Sequence, residues 1–270
     1  MSWRSRGLAG LSNLWLYVLC GAVFAFLTLP IIAIVPLSLN AGSFLSFPLA
    51  GVSTRWYEAL LSSPQWLDSF RNSLLIALPT TLLATPLGAL AALGLMRIQS
   101  RLHVLALAAL TAPLGVPVII TATGEYFLYA PSGLANSLTG LVLAHTTLAI
   151  PYVIVVVRAS LEGFDVSLLR AGASLGARPR VVYLRILTPL ILPGVIAGAI
   201  FAFITSFDET VAALFLAGPE QRTLPLQMFD GVREQVSPII LAAATLLVIL
   251  SCALLGTVEI LRRRVRKLLA

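Results

Sequence analysis

Two adjacent carboxylates, Asp208 and Glu209, follow a long apolar run in the stretch ITSFDETVAALFLAG. Removing two neighbouring negative charges from water is costly unless a cation, hydrogen-bond donors or water compensates them. A cationic solute would supply that compensation, and the ring of Phe207 would add a cation–π contact. The same carboxylates also suit a helix N-cap and an outer-surface charge pair, because the sequence does not fix their depth. These three residues are the first candidates for contact with a solute.

His145 is a further candidate, because it lies inside the apolar run LAHTTLAIPY. An ionisable residue within a membrane span is by default a functional candidate. The alternative is a packing role, in which the neutral ring forms a hydrogen bond to a neighbouring helix. Both interpretations stay open, and His145 joins Phe207, Asp208 and Glu209 as a substrate-path candidate.

The residues that other chemistries need are missing or badly spaced. A P-loop requires a lysine after a glycine-rich turn, but the only lysine is Lys267 near the C-terminus. His103 and His145 lack the spacing of a metal site, and Cys20 and Cys252 lie in separate apolar runs. No nucleophile–base pair stands out. The sequence therefore predicts no catalytic residue, no metal and no cofactor.

The composition places the chain in a membrane. It is 59% hydrophobic and only 11% charged, with a mean hydropathy of +0.97, whereas soluble domains carry about 25% charged residues. The net charge of +7 does not indicate nucleic acid, because no basic stripe is interleaved with aromatic residues. A bilayer, crossed by helices of about 20 apolar residues, is the appropriate environment.

The apolar stretches predict an all-α, polytopic membrane protein with six transmembrane helices. The first is too long for a signal-peptide core of 7–15 residues and is expected to remain as a span. The predicted spans cover residues 14–38, 72–96, 103–124, 137–157, 186–206 and 237–260.

The distribution of basic residues predicts the orientation. Of the 18 Lys and Arg residues, only Arg55, Arg71, Arg222 and Arg233 fall on the side opposite the N-terminus. Basic residues accumulate in cytoplasmic connections, so both termini are expected to be cytoplasmic. Prolines within the spans remove backbone donors and bend helices, which favours a bundle that encloses something.

The longest cytoplasmic connection, 158–185, predicts a short surface helix. Asp165 suits its N-cap, Phe164 is placed to pack against Leu169, and Gly176 suits the left-handed position that ends a helix before Pro179. One face carries small side chains. That face either rests at the membrane interface or lets another protein approach the backbone closely.

The segment RAGASLGARPRVVYLRILTPLILPG resembles the EAA loop of permease subunits in binding-protein-dependent ABC importers of the MetI-like type. That pattern reads Glu-Ala-Ala, three residues, Gly, nine residues, Ile, one residue, Leu-Pro. Here every spacing holds, but Arg170 replaces the glutamate, Gly172 the second alanine and Thr188 the leucine. The substitution of the glutamate puts in doubt any specific ion pair that it would make.

The resemblance implies the fold of a type I ABC importer transmembrane domain and a coupling helix that docks on a cytoplasmic ATPase. The ATPase-coupling residues that it implies are Arg170, Ala171, Gly172, Ala173, Leu175, Gly176, Ala177, Ile186 and Pro189. It further implies two cytoplasmic ATP-binding subunits, which hydrolyse the ATP, a second homologous permease and a periplasmic binding protein. The location would be the bacterial inner membrane.

Other stretches extend the resemblance over nearly the whole chain. NSLLIAL, AHTTLAIPYVIVVVRASLEG and SFDETVAALFLAGPEQRTLPLQMFDGVREQVSP all look like such permeases. The last is most like the second permease of spermidine/putrescine importers, which implies a polyamine solute. Iron, thiamine and other organic cations stay open as solutes, and a stand-alone secondary transporter or a membrane enzyme would be the rival functions.

The predicted domain organisation follows from these assignments. It consists of a cytoplasmic N-terminus (1–13), a first helix (14–38), a five-helix permease core (72–260) that includes the coupling loop 158–185, and a basic cytoplasmic tail (261–270).

Overall fold

The computed structural model describes residues 4–43, 48–98, 101–234 and 237–269. Within these residues the chain is helical and has no β-strand, apart from one isolated bridge between Asn40 and Val52. The prediction of an all-α membrane protein is confirmed. The helices are α1 (Arg4–Ser38), α2 (Arg55–Ser62), α3 (Pro64–Arg97), α4 (Arg101–Thr111), α5 (Val118–Tyr129), α6 (Leu138–Glu162), α7 (Ser167–Ser174), α8 (Pro179–Val182), α9 (Thr188–Phe207), α10 (Val211–Leu216), α11 (Leu224–Glu234) and α12 (Pro238–Leu269).

Five of the six predicted spans correspond to single apolar helices. They are Leu14–Ser38, Pro64–Arg97, Leu138–Glu162, Pro179–Phe207 and Pro238–Ile260. Each of the five helices that contain these spans extends five or more residues past the predicted boundary at one end. The extra turns contain polar and charged residues, so the hydrophobic pattern marks the part of each helix within the hydrocarbon and not the whole helix.

The third predicted span, 103–124, is not one straight helix. The chain forms α4 and a 3₁₀ turn (Ala112–Gly115), breaks, and continues as α5 at an angle of 97°. Pro117 causes the break, because its ring disfavours a helical conformation in the preceding residue, and Val116 is extended at φ −91° and ψ 131°. The count of six therefore holds only when this bent pair is one span.

The backbone divides into two compact units. The first contains residues 1–62 with 231–249 and includes α1 and α2. This unit contains a polar corner, in which the Asn40 side chain accepts hydrogen bonds from the backbone N–H groups of Gly42 and Ala50, at 3.0 and 3.1 Å. The Asn40 carbonyl accepts a bond from the indole N–H of Trp56 at 2.8 Å.

The second unit, residues 63–230 with 250–270, has its core where α3, α6 and α9 pack together. Glycines allow this close approach: a Cβ at Gly88 would lie 2.6 Å from the Cβ of Val153, and one at Gly198 would lie 3.2 Å from the Val153 Cγ1. A Cβ at Gly194 would collide with Ser160. Small residues at these positions thus let the helices approach closely.

Candidate coupling surface and solute path

Asp165 lies one residue before the N-cap of α7, which is Val166 and not the predicted Asp165, and it bonds to the first helical residue instead. Its carboxylate accepts bonds from the Ser167 backbone N–H at 2.8 Å and from the Ser167 hydroxyl at 2.7 Å. These two hydrogen bonds hold the pKa of Asp165 below its usual value. The helix runs from Ser167 to Ser174 and has 8 residues, in agreement with the prediction of a short helix.

The end of α7 is a Schellman motif. Gly176 has φ +79°, its N–H donates to the Ala173 carbonyl at 3.0 Å, and the Ala177 N–H donates to the Gly172 carbonyl at 3.2 Å. The left-handed conformation is tolerated because glycine has no Cβ. The prediction that Gly176 terminates this helix is confirmed.

Gly172 faces the chain's own helices and not the cytosol. It is buried, and a Cβ there would lie 2.8 Å from the Ile186 Cδ1 and 3.4 Å from the Val182 Cγ2. The EAA-loop pattern fixes the spacing between Gly172 and Ile186. Packing within the chain explains this spacing, because α7 contacts, through Gly172, the first turns of the helix that leads into the membrane. The expectation that this glycine faces a partner is corrected, although its part in coupling stays a prediction.

The other predicted coupling residues divide by exposure. Leu175 is 89% exposed, Ala177 and Ile186 are half-buried, and Arg170, Ala171, Ala173, Gly176 and Pro189 are exposed. Most of the exposed residues thus lie at the end of α7 or beside it. Docking of an ATPase there stays a prediction.

A continuous structure joins α7 to the membrane core. Phe164, Leu169 and Tyr183 pack against a buried cluster of α3, α6 and α9 side chains that includes Leu161 and Leu187. From Pro179 the chain runs through α8, a π-helical turn (Tyr183–Leu187) and α9 without leaving a helical conformation. A displacement of α7 would therefore be transmitted to the core, because close-packed interiors are stiff.

Glu209 caps the short helix α10. Its carboxylate accepts bonds from the backbone N–H groups of Val211 and Ala212, at 2.8 and 3.0 Å. Asp208 is exposed, and its N–H donates to the Ile204 carbonyl at the end of α9. Glu209 thus satisfies two backbone donors at the start of α10, although the N-cap position itself is Thr210. A solute contact for either carboxylate stays a prediction.

Phe207 is buried in an aromatic cluster. Its ring stacks on Phe203 with centroids 5.3 Å apart and meets the edge of Phe70 at 6.2 Å. Phe203 covers one face of the ring, so a cation–π contact with a solute would require the other face. That role stays a prediction.

His145 is buried between α6 and α9, and its Nδ1 lies 2.9 Å from the Ser206 hydroxyl oxygen. This bond supports the packing interpretation, because it joins two core helices. Its Nε2 has no hydrogen-bond partner among the described residues. Within the same residues, no group of three His, Cys, Asp or Glu side chains could hold a metal ion.

Glu125 is a site residue that sequence reasoning left without a role. It lies in α5, accepts a 2.6 Å bond from the Thr147 hydroxyl of α6, and is near enough to Glu209 for their charges to interact. The sequence does contain an indication that Glu125 is unusual, because it is the only acid in the apolar stretch VIITATGEYFLY. Its proximity to Glu209 required the tertiary structure, since α10 packs against α5.

Residues 84–267 match the family described as binding-protein-dependent transport system inner membrane component. The chain belongs to this family. Its members are permeases, so the chain is a multi-pass protein of the inner membrane and a transport component, not an enzyme.

Curated relatives cover most of the chain. It is 32% identical over 242 residues to the spermidine/putrescine permease PotC of Escherichia coli K12, which is 90% of this chain and 91% of PotC. It is 35% identical over 240 residues to the putrescine permease PotI of the same strain, 86% and 85% of the two chains. The molybdenum permease ModB of Mycobacterium bovis is 30% identical over 78% of this chain and 86% of ModB.

Solved structures show the same fold. A bacterial alginate ABC transporter in complex with an alginate-bound periplasmic protein matches with a TM-score of 0.74, over 98% of each chain and at 14% identity. The MetNI methionine ABC transporter matches with a TM-score of 0.60, over 77% of this chain and 97% of the other, at 19% identity. The fold is that of an ABC importer transmembrane domain.

Proposed function

We propose that this permease serves an ATP-driven importer for polyamines such as spermidine and putrescine. The observation that carries the proposal is the 32–35% identity to two polyamine permeases over 86–90% of the chain. The structure adds chemistry that suits a cation, because Glu125 and Glu209 bring two carboxylates together near the end of α9, next to Asp208.

Carboxylates at this position favour a cationic solute over an anionic one. The 30% identity to a molybdenum permease shows that family membership alone does not define the solute. A cluster of like charges is costly to desolvate and raises the local concentration of counter-ions. A linear polycation would offset the repulsion between Glu125 and Glu209.

The importer would be completed by other chains. We propose that the importer has two ATP-binding subunits, one of which docks at α7, that a second homologous permease forms the other half of the path, and that a periplasmic binding protein delivers the solute. Both termini then lie in the cytoplasm. ATP binding and hydrolysis in the partners would move α7 and, through α8 and α9, switch the path from outward to inward access.

The test is uptake of radiolabelled spermidine and putrescine by cells that carry the complete importer. We expect Glu125→Gln and Asp208→Asn each to reduce uptake about tenfold at sub-saturating solute, equivalent to about 1.4 kcal/mol. Glu209→Gln keeps an oxygen for the α10 cap and removes only the charge. Glu58→Gln, which removes an exposed carboxylate from α2, is the matched control and should leave uptake unchanged.

Competition distinguishes the solutes. Unlabelled putrescine and spermidine should compete, whereas iron chelates and thiamine should not. If thiamine or an iron chelate is taken up and amines are not, the polyamine assignment is wrong, although the chain remains an importer permease.

A further inference from the structure

We propose that α7 and the turn after it bind an acidic cleft with an apolar floor on the ATPase subunit. The proposal rests on the function proposed above and specifies the chemistry of the partner. The surface consists of Arg170, Leu175, Arg178 and Arg180, and is called the basic knob below.

The basic knob carries positive charge that the chain itself leaves largely uncompensated. Between residues 163 and 185 the sequence contains four arginines and a single acid, Asp165. Asp165 interacts electrostatically with Arg170, but both of its carboxylate oxygens already accept hydrogen bonds from Ser167. None of the ion pairs in the described residues includes Arg170, Arg178 or Arg180, and all three are exposed.

Leu175 provides an apolar anchor among these charges. Its side chain is 89% exposed, and it stands directly before Gly176, where nothing lies within 4 Å of the position that a Cβ would occupy. Burying a leucine is favourable because it removes apolar surface from water. A projecting leucine surrounded by charges matches the usual anatomy of an interface, an apolar centre with a polar rim.

The length of the adjoining helix places the basic knob beyond the hydrocarbon. The 20 residues of α9 suffice to cross it, because 20 residues rise about 30 Å. The helical residues before α9 therefore project past the membrane, and they include the exposed Arg180 and Arg185. Because α7 packs on this projecting part, at Val182 and Ile186, Leu175 lies on the side that the distribution of basic residues assigns to the cytoplasm.

The charge of the basic knob predicts the charge of its partner. The resembled pattern has a glutamate where this chain has Arg170, and a glutamate would be matched by a cation in the cleft. Arg170 would be repelled by that cation and attracted by an acid. Arginine in place of glutamate reverses the charge at this position. The change would therefore exclude an ATPase whose cleft carries a cation to pair with the glutamate, since like charges across an interface select against the wrong partner.

The experiment measures binding of the labelled ATPase subunit of the same importer to the full-length chain and its second permease, held in nanodiscs of zwitterionic lipid. At about 50 mM KCl, Arg170→Glu should raise the Kd about tenfold, and Arg170→Lys should have little effect. At about 1 M KCl, where the screening length is about 3 Å, wild type and Arg170→Glu should bind equally.

Two further variants test the separate parts of the basic knob. Leu175→Ala should weaken binding by the same factor at both salt concentrations, because an apolar contact is not screened by salt. Arg101→Glu reverses an exposed arginine at the start of α4 and should bind as the wild type does, which controls for a general loss of positive charge.

The outcomes separate this inference from the proposed function. If the wild-type permease binds the ATPase but Arg170→Glu binds equally well or more tightly, the acidic cleft is wrong and the importer assignment stands. If Arg170→Glu weakens binding only in nanodiscs with anionic lipid, the arginines contact lipid and the inference is overturned. If no ATPase subunit binds the wild-type permeases, the proposed function itself fails.

Discussion

At the scale of single residues, one of the close contacts between core helices lies at Gly88 of α3, opposite Val153 of α6. The absent side chain allows the two backbones to approach until a Cβ would overlap the Val153 Cβ at 2.6 Å. Val153 is fully buried and β-branched, so it has little freedom to rotate away. The packing of these two helices therefore depends on the absence of a side chain at position 88.

Replacing Gly88 with alanine should destabilise the chain by about 1–3 kcal/mol, the usual cost of overpacking. Thermal unfolding of the purified protein in detergent measures the change. Gly94→Ala is the matched control, because Gly94 lies in the same helix with nothing within 4 Å of its Cβ position. A lower melting temperature for the Gly94 variant, with none for Gly88, would contradict the packing described here.

At the scale of elements, α7 depends on its two ends more than on its length. Eight residues are too few for a stable isolated helix. Asp165 satisfies a donor at the start, Gly176 satisfies carbonyls at the end, and Gly172 docks the middle onto Val182 and Ile186. Each of these three points of support is a specific residue type, so the helix is sensitive to single substitutions.

Gly176→Val should loosen the end of α7, because a β-branched residue at φ +79° costs about 1–2 kcal/mol. Hydrogen exchange of the α7 amides should be about 5–30 times faster, and ATPase association and solute uptake should both fall. The loss of stability would not come from a steric clash, because no atom lies within 4 Å of the Cβ position at Gly176.

Gly176→Asn is the control for this prediction, because asparagine tolerates the left-handed region. It should retain most of the exchange protection and most of the uptake. If Gly176→Val is expressed normally and uptake is unchanged, α7 is not the coupling element.

At the scale of the whole molecule, the bent pair α4–α5 decides how many times the chain crosses the membrane. In the part of the chain that the structure describes, five helices are long and apolar enough to span alone, and the pair makes up to six. With six crossings the termini share a side, and with five they face opposite sides. The asymmetry of the basic residues favours six.

Reporter fusions to each terminus test this count directly. We expect a fluorescent protein that matures only in the cytoplasm to be active at both ends. Alkaline phosphatase, which is active only outside, should be inactive at both ends. Opposite results at the two ends would mean that α4 and α5 enter and leave on one side of the membrane.

The sequence by itself determined the membrane class, the approximate spans, the glycine that ends α7 and the family. These follow from local properties: apolar runs of bilayer length, residue types that suit a helix end, and a motif with fixed spacing. The capping role of Gly176 is an example, because only neighbouring backbone groups take part in it.

Only the tertiary structure decided which residues from distant parts of the chain meet. It turned Gly172 inward onto Ile186, placed Glu125 near Glu209, joined His145 to Ser206, and bent α4 away from α5 at Pro117. Hydrophobic periodicity reports that a helix is apolar but does not identify the neighbour of each face, because lipid and protein interiors are almost equally apolar. The packing of small side chains determines which helix faces meet, and this packing acts between residues that are far apart in the sequence.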